Sequence, residues 1–118
     1  MINNIEKLVQ CTKQVLQIVD ALEQIFGEIT INSGFRSPEL NNISGGASGS
    51  AHLSGQAVDI SVKNTSCIKV AAKALEKFGS ELKGVGLDVF QNYVHLDFKD
   101  RGVKSITYWV YGRDGKPV

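Results

Sequence analysis

His52 and His95 are the only histidines in the chain, and each sits among residues that bear on what an imidazole does there. His52 closes a run of small residues and precedes Asp59 by seven positions. His95 lies in Tyr93-Val94-His95-Leu96-Asp97-Phe98, where polar and apolar side chains alternate. Two imidazoles and one carboxylate form a three-ligand set that a tetrahedral Zn²⁺ accepts, with the fourth position left for water. Such an open position marks a catalytic zinc site, because the metal lowers the pKa of that water to about 7 and polarises a carbonyl oxygen. Both effects promote amide hydrolysis at neutral pH. The same residues also admit a plainer reading, in which a loop histidine, a strand histidine and an exposed aspartate are unrelated.

Backbone periodicity must bring these residues together. Ala57-Val58-Asp59-Ile60-Ser61-Val62 alternates, which places Val58, Ile60 and Val62 on one strand face and Asp59 on the other. In the same way Val94, Leu96 and Phe98 oppose Tyr93, His95 and Asp97. From Asn3 to Phe26, apolar residues at Leu8, Cys11, Val15, Ile18, Leu22 and Ile25 predict one amphipathic helix ended by Gly27. Glu28 to Asn32 reads as a short strand. Thr65 or Ser66 caps a second helix with Ile68, Ala71, Ala72, Leu75 and Phe78 on its buried face, ending at Gly79. Residues 41 to 56, rich in Asn, Ser and Gly, read as a long loop of the kind that carries function in small domains. Ser105 to Tyr111 is a last strand, followed by a turn and tail. Two main helices and four or five short strands predict an α+β domain with a mainly antiparallel sheet as the floor of the site.

Composition sets the outer bounds. A chain of 118 residues and 12.8 kDa, 42% hydrophobic and 21% charged, has room for one domain spanning residues 1–118. With 13 Lys and Arg against 12 Asp and Glu and no basic run, nothing calls for a nucleic-acid partner. No stretch approaches the ~20 apolar residues of a membrane span. Cys11 and Cys67 form no CxxC pair and read as reduced thiols. The N-terminal layout, first charged at Glu6 and Lys7, is not that of a secretory signal, so synthesis in the cytoplasm is expected.

Ser33-Gly34-Phe35-Arg36-Ser37-Pro38-Glu39-Leu40-Asn41, then Ser50-x-His52-x-x-Gly55-x-Ala57-x-Asp59, then Gly84-x-Gly86 and Tyr93-Val94-His95-Leu96-Asp97, occur in this order between about residues 30 and 98. This set resembles the D-alanyl-D-alanine carboxypeptidase family of zinc peptidases. The family includes peptidoglycan carboxypeptidases and phage L-alanyl-D-glutamate endopeptidases, and it shares its fold with the hedgehog signalling domain. The resemblance implies that His52, Asp59 and His95 are zinc ligands, in agreement with the strand-face reading. It also implies that Arg36 binds a substrate carboxylate or a developing oxyanion, tasks that suit its planar fork; a surface ion pair with Glu39 is the alternative. Ser50 would orient His52, hydrogen-bond the substrate backbone or cap the loop. Gly55 and Ala57 fit close packing beside the metal.

One position departs from the family pattern. Well-studied members carry an acidic residue three positions before the last histidine as the general base, and here that residue is Asn92, which cannot accept the proton. Asp97 is the nearest carboxylate by spacing and either acts as the base or orients a ligand from behind; Asp88 is another candidate. Tyr93, Tyr108, Trp109 and Tyr111 either line a groove or pack the sheet. The function expected is thus a zinc metallopeptidase acting on peptidoglycan stem peptides, compatible with delivery to the wall by a phage-type lysis system. The alternatives are a non-catalytic zinc domain that binds cell-wall peptide or a protein partner, and a small fold merely stabilised by zinc. Oligomeric state is left open.

Overall fold

The computed structural model describes residues 1–43 and 49–118. The chain runs β1 (Ile2–Asn3), a 3₁₀ turn (Ile5–Leu8), α1 (Lys13–Phe26), β2 (Ile29–Ser33), α2 (Pro38–Ile43), a second 3₁₀ turn (Ala51–Ser54) and β3 (Ala57–Ser61). It continues through α3 (Cys67–Phe78), β4 (Gly84–Asp88), β5 (Tyr93–Asp97) and β6 (Thr107–Val110). The strands form one six-stranded sheet in the order β1-β2-β3-β5-β4-β6.

Period-two alternation divides the sheet into two chemically different faces. Ile29, Ile31, Val58, Ile60, Val85, Val94 and Leu96 join Val15, Ile18, Val19 and Leu22 of α1 and Val70, Ala71 and Ala74 of α3 in one core. The opposite face carries Asp59, His95 and Asp97, all buried. Burying polar groups there is favourable only because they hydrogen-bond one another.

The α+β class agrees with the sequence reading, and several details correct it. The sheet is mixed rather than mainly antiparallel: β2, β3, β5 and β4 pair antiparallel, whereas β1 runs parallel to β2 and β6 parallel to β4. Parallel neighbours need a crossover, and α1 supplies it between β1 and β2. The first helix therefore begins at Lys13 and not at Asn3. Asn4 adopts a left-handed backbone, its side chain donates to the Ile31 carbonyl, and the chain before Thr12 is held by sheet pairing against β2. Tertiary pairing there overrides the helical period.

In α3, Ser66 caps the N-terminus by accepting from the Ile68 amide, so Cys67, Val70, Ala71 and Ala74 turn inward and Ile68 is exposed. The small side chains on that face let the helix lie close to the strands. The long loop expected over 41–56 is partly helical, ending α2 and containing the Ala51–Ser54 turn; residues 44–48 of it lie outside the described residues. Pro38 opens α2 with its fixed φ, and Ser37 Oγ accepts from the Leu40 amide as a cap. Two or three main helices thus describe the fold, α2 being a short one. Among the described residues, no helix is long and apolar enough to cross a membrane.

Candidate metal centre

Strand register lines up the polar face. Ser33 of β2 pairs with Asp59 of β3, Asp59 with His95 of β5, His95 with Gly86 of β4, and Gly86 with Trp109 of β6, making one row across the sheet. His52 reaches the row from the 3₁₀ turn that precedes β3. That turn is fixed locally, since Ser50 Oγ accepts from the His52 amide, and it is stitched to the chain after β2, since the Arg36 amide donates to the His52 carbonyl at 3.0 Å.

His52, Asp59 and His95 are buried, and each offers a ligand atom within 4.8 Å of the others. Asp59 Oδ1 lies 3.3 Å from His52 Nε2 and 2.9 Å from His95 Nδ1. The second nitrogen of each ring is also engaged: His52 Nδ1 donates to the Gly34 carbonyl at 2.7 Å, and His95 Nε2 donates to Asp97 Oδ2 at 2.6 Å. Histidine ligands to zinc characteristically have their outward nitrogen held in this way, which fixes the tautomer and ring angle. Zinc takes nitrogen and oxygen donors at about 2 Å, so donors separated by roughly 3 to 4 Å suit one ion. The donor set fits zinc.

Charge around the row supports a cation. Burial pushes the Asp59 carboxyl up, but hydrogen bonds and charge from His52 and His95 outweigh it and hold the group well below the usual carboxylate range. Burial pulls the His95 imidazole down, and the carboxylates of Asp59 and Asp97 on either side outweigh that and push it above its ordinary value. A ring between two carboxylates favours its protonated form, and a metal ion at Nδ1 would take the place of that second proton.

Arg36 borders the same row. Its Nε donates to Ser33 Oγ at 2.9 Å and its Nη1 to Asn41 Oδ1 at 3.4 Å, while Nη2 lies 3.6 Å from Asp59 Oδ2. Asn41, the buried last residue of the Ser33–Asn41 block, thereby helps to aim the guanidinium. Gly55 has a role other than the one expected. It sits at φ 69°, and a Cβ there would lie 2.3 Å from the Gln10 carbonyl oxygen, so it serves the packing of this turn against the chain before α1.

Asp97 is fully buried behind His95 and accepts from both Arg101 terminal nitrogens, at 2.8 and 2.9 Å, as well as from the Lys99 amide. Burial raises its carboxyl, and Arg101 and His95 outweigh the rise and hold it well below the ordinary range. Asp88, the buried last residue of β4, holds the turn to β5 with Oδ1 accepting from the amides of Phe90 and Gln91. Tyr93, Trp109 and Tyr111 form a chain of ring contacts that ends on His95, with Trp109 and His95 centroids 5.0 Å apart. Tyr108 projects from the opposite side of β6 and is exposed. Arg101 escaped the sequence reading because the residues after β5 show no periodicity that would mark its pairing with Asp97, four positions earlier.

Asn92 has a structural task away from the row. It takes a left-handed backbone, its Oδ1 accepts from the Cys67 amide at 2.7 Å, and its Nδ2 donates to the Thr65 carbonyl at 2.9 Å. It thus caps α3 from a distance, satisfying a donor that the first turn leaves free. Asn92→Ala is expected to lower unfolding free energy by about 1–2 kcal/mol with metal binding unchanged, as chemical denaturation and metal titration would show. For the same reason Asn92→Asp should not raise hydrolytic activity.

The family model described as Peptidase M15 matches residues 2–97. No curated protein matches the chain.

Proposed function

The chain belongs to the peptidase M15 family, and on that premise we propose that it is a zinc-dependent peptidase that hydrolyses an amide bond in peptidoglycan stem peptides, as a carboxypeptidase or an endopeptidase. The observation that carries this reading is the convergence of His52, Asp59 and His95 around Asp59 Oδ1 with both outward ring nitrogens already held. When bound there, zinc supplies Lewis-acid polarisation of a carbonyl and brings the pKa of water to about 7.

The chain's own residues divide the remaining work. Arg36, steadied by Ser33 and Asn41, faces Asp59 and also lines a cavity of about 290 Å³ with Lys7, Asn32, Gly34, Phe35 and Leu40. In this reading its fork binds a substrate carboxylate or the developing oxyanion. Ser50 acts through the backbone, holding the His52 turn. Asp97 keeps the proton on His95 Nε2, a positioning task, because Arg101, Lys99 and His95 already occupy its oxygens.

A second reading, a non-catalytic zinc domain of the same fold that binds cell-wall peptide or a protein partner, is favoured by one observation. The residue at the usual position of the base, Asn92, is bonded to α3. Digestion of muropeptides and D-Ala-D-Ala peptides by zinc-loaded protein, read by mass spectrometry and amine release, separates the two. Turnover by the parent that disappears in His52→Ala supports the peptidase. Zinc and muropeptide binding without turnover supports the binding domain, and a parent that retains no zinc overturns both.

A further inference from the structure

Behind His95 lies a set of contacts on the Nε2 side of its ring, away from the Nδ1 that meets Asp59. Arg101, in the loop after β5, reaches back to grip Asp97 with two parallel hydrogen bonds, and Asp97 in turn accepts from His95 Nε2. The strand opposite makes room for this arrangement. A Cβ on Gly84 would fall 2.4 Å from Asp97 Oδ2, and one on Gly86 would fall 2.5 Å from Trp109 Nε1. Bare backbone on β4 therefore seats the Asp97 carboxylate and lets the Trp109 indole cross the sheet to the His95 ring. Arg101 also lies over the indole, its guanidinium carbon 5.8 Å from the Trp109 ring centroid.

We propose that Arg101 is a positioning residue for the metal centre, acting through Asp97 to decide which ring nitrogen of His95 faces His52 and Asp59, with Trp109 as the lateral stop. The inference rests on the reading that His52, Asp59 and His95 hold zinc. His95 has a carboxylate at each nitrogen, Asp59 at Nδ1 and Asp97 at Nε2, so the ring alone does not distinguish its two ends. Arg101 makes the ends unequal. Its fork fixes both Asp97 oxygens in one plane, which leaves Oδ2 as a stationary acceptor for the Nε2 proton and frees Nδ1 for the cation. Lysine, a single point charge, would hold only part of that geometry.

Zinc affinity, measured by competition with a chelating indicator, tests this because the two physical effects of removing Arg101 have opposite signs. Loss of a nearby positive charge would by itself tighten cation binding. Loss of positioning weakens it: disturbing a group bonded directly to a metal ligand, as Asp97 is to His95, reduces affinity about 10- to 100-fold, and Arg101 stands one bond further out. Arg101→Ala is expected to bind zinc about 10-fold more weakly, the low end of that range, with a shifted visible spectrum in the Co²⁺-loaded protein, and Arg101→Lys is expected to fall between it and the parent. Unchanged or tighter binding with an unshifted Co²⁺ spectrum overturns the inference and leaves Arg101 as a loop latch that moves only thermal stability. If Arg101→Ala does not fold, Arg101→Lys decides, since it keeps charge and stem: parental affinity and spectrum refute positioning. A parent without zinc affinity overturns the underlying metal reading instead.

Discussion

Asp59→Ala is expected to remove zinc binding and, with it, hydrolysis to below detection. Asp59 Oδ1 is in contact with both His52 Nε2 and His95 Nδ1, so its loss deletes a donor and also the group that draws the two rings together. Disturbing an outer contact to a metal ligand costs roughly 10- to 100-fold in affinity, and deleting a ligand should exceed that range. The fold should survive. Val58 and Ile60, on either side of Asp59, face the apolar core on the other side of the sheet, and Asp59 makes no contribution there. Stability in chelator should nonetheless fall, because His52 Nε2 and His95 Nδ1 lose their buried partner, at a cost of about 1–3 kcal/mol; metal content after dialysis, together with a cooperative unfolding transition at a lowered midpoint, would check both halves. A zinc affinity equal to that of the parent would sink the assignment of the site.

Gly34→Ala is expected to destabilise the protein strongly. The new Cβ would fall 2.0 Å from the Lys7 carbonyl oxygen and 3.3 Å from Cys11 Sγ. A backbone carbonyl cannot rotate aside as a side chain does, so the chain after β2 must separate from the Ile5–Leu8 turn. Overpacking of this kind costs about 1–3 kcal/mol, and this substitution should lie at the upper end. The displacement also carries the Gly34 carbonyl, which holds His52 Nδ1, so zinc affinity should fall together with stability. Denaturant titration of the chelated protein and indicator competition for zinc would show the paired losses. A stability loss with parental zinc affinity would mean that the Gly34 contact does not orient His52.

The residues that face the site were legible because strand alternation is a short-range property. Val58 and Ile60 against Asp59, and Val94 and Leu96 against His95 and Asp97, declare their faces within a few residues of themselves. Helix faces and limits were less legible. Asn3 to Leu8 keeps a helical spacing of apolar residues, yet pairing of Ile2 and Asn3 with β2 and a left-handed Asn4 hold it in another form. The buried face of α3 likewise follows the position of its Ser66 cap and the close approach of Cys67, Val70 and Ala74 to the sheet, and hydrophobicity alone misplaced Ile68.

By itself the sequence determined an α+β chain with one polar sheet face, and which two imidazoles and which carboxylate stand on or beside it, because residue type and period are local. Only the tertiary structure decided that Asn92 serves a helix, that Asp97 is held by Arg101, and that bare backbone at Gly84 and Gly86 admits Asp97 and Trp109 to the back of His95. Apart from the Asp97–Arg101 pair, which is four residues apart and set by the fold of the loop after β5, those relations join residues distant in the chain. They depend on sheet order and register, which follow from how the whole chain packs.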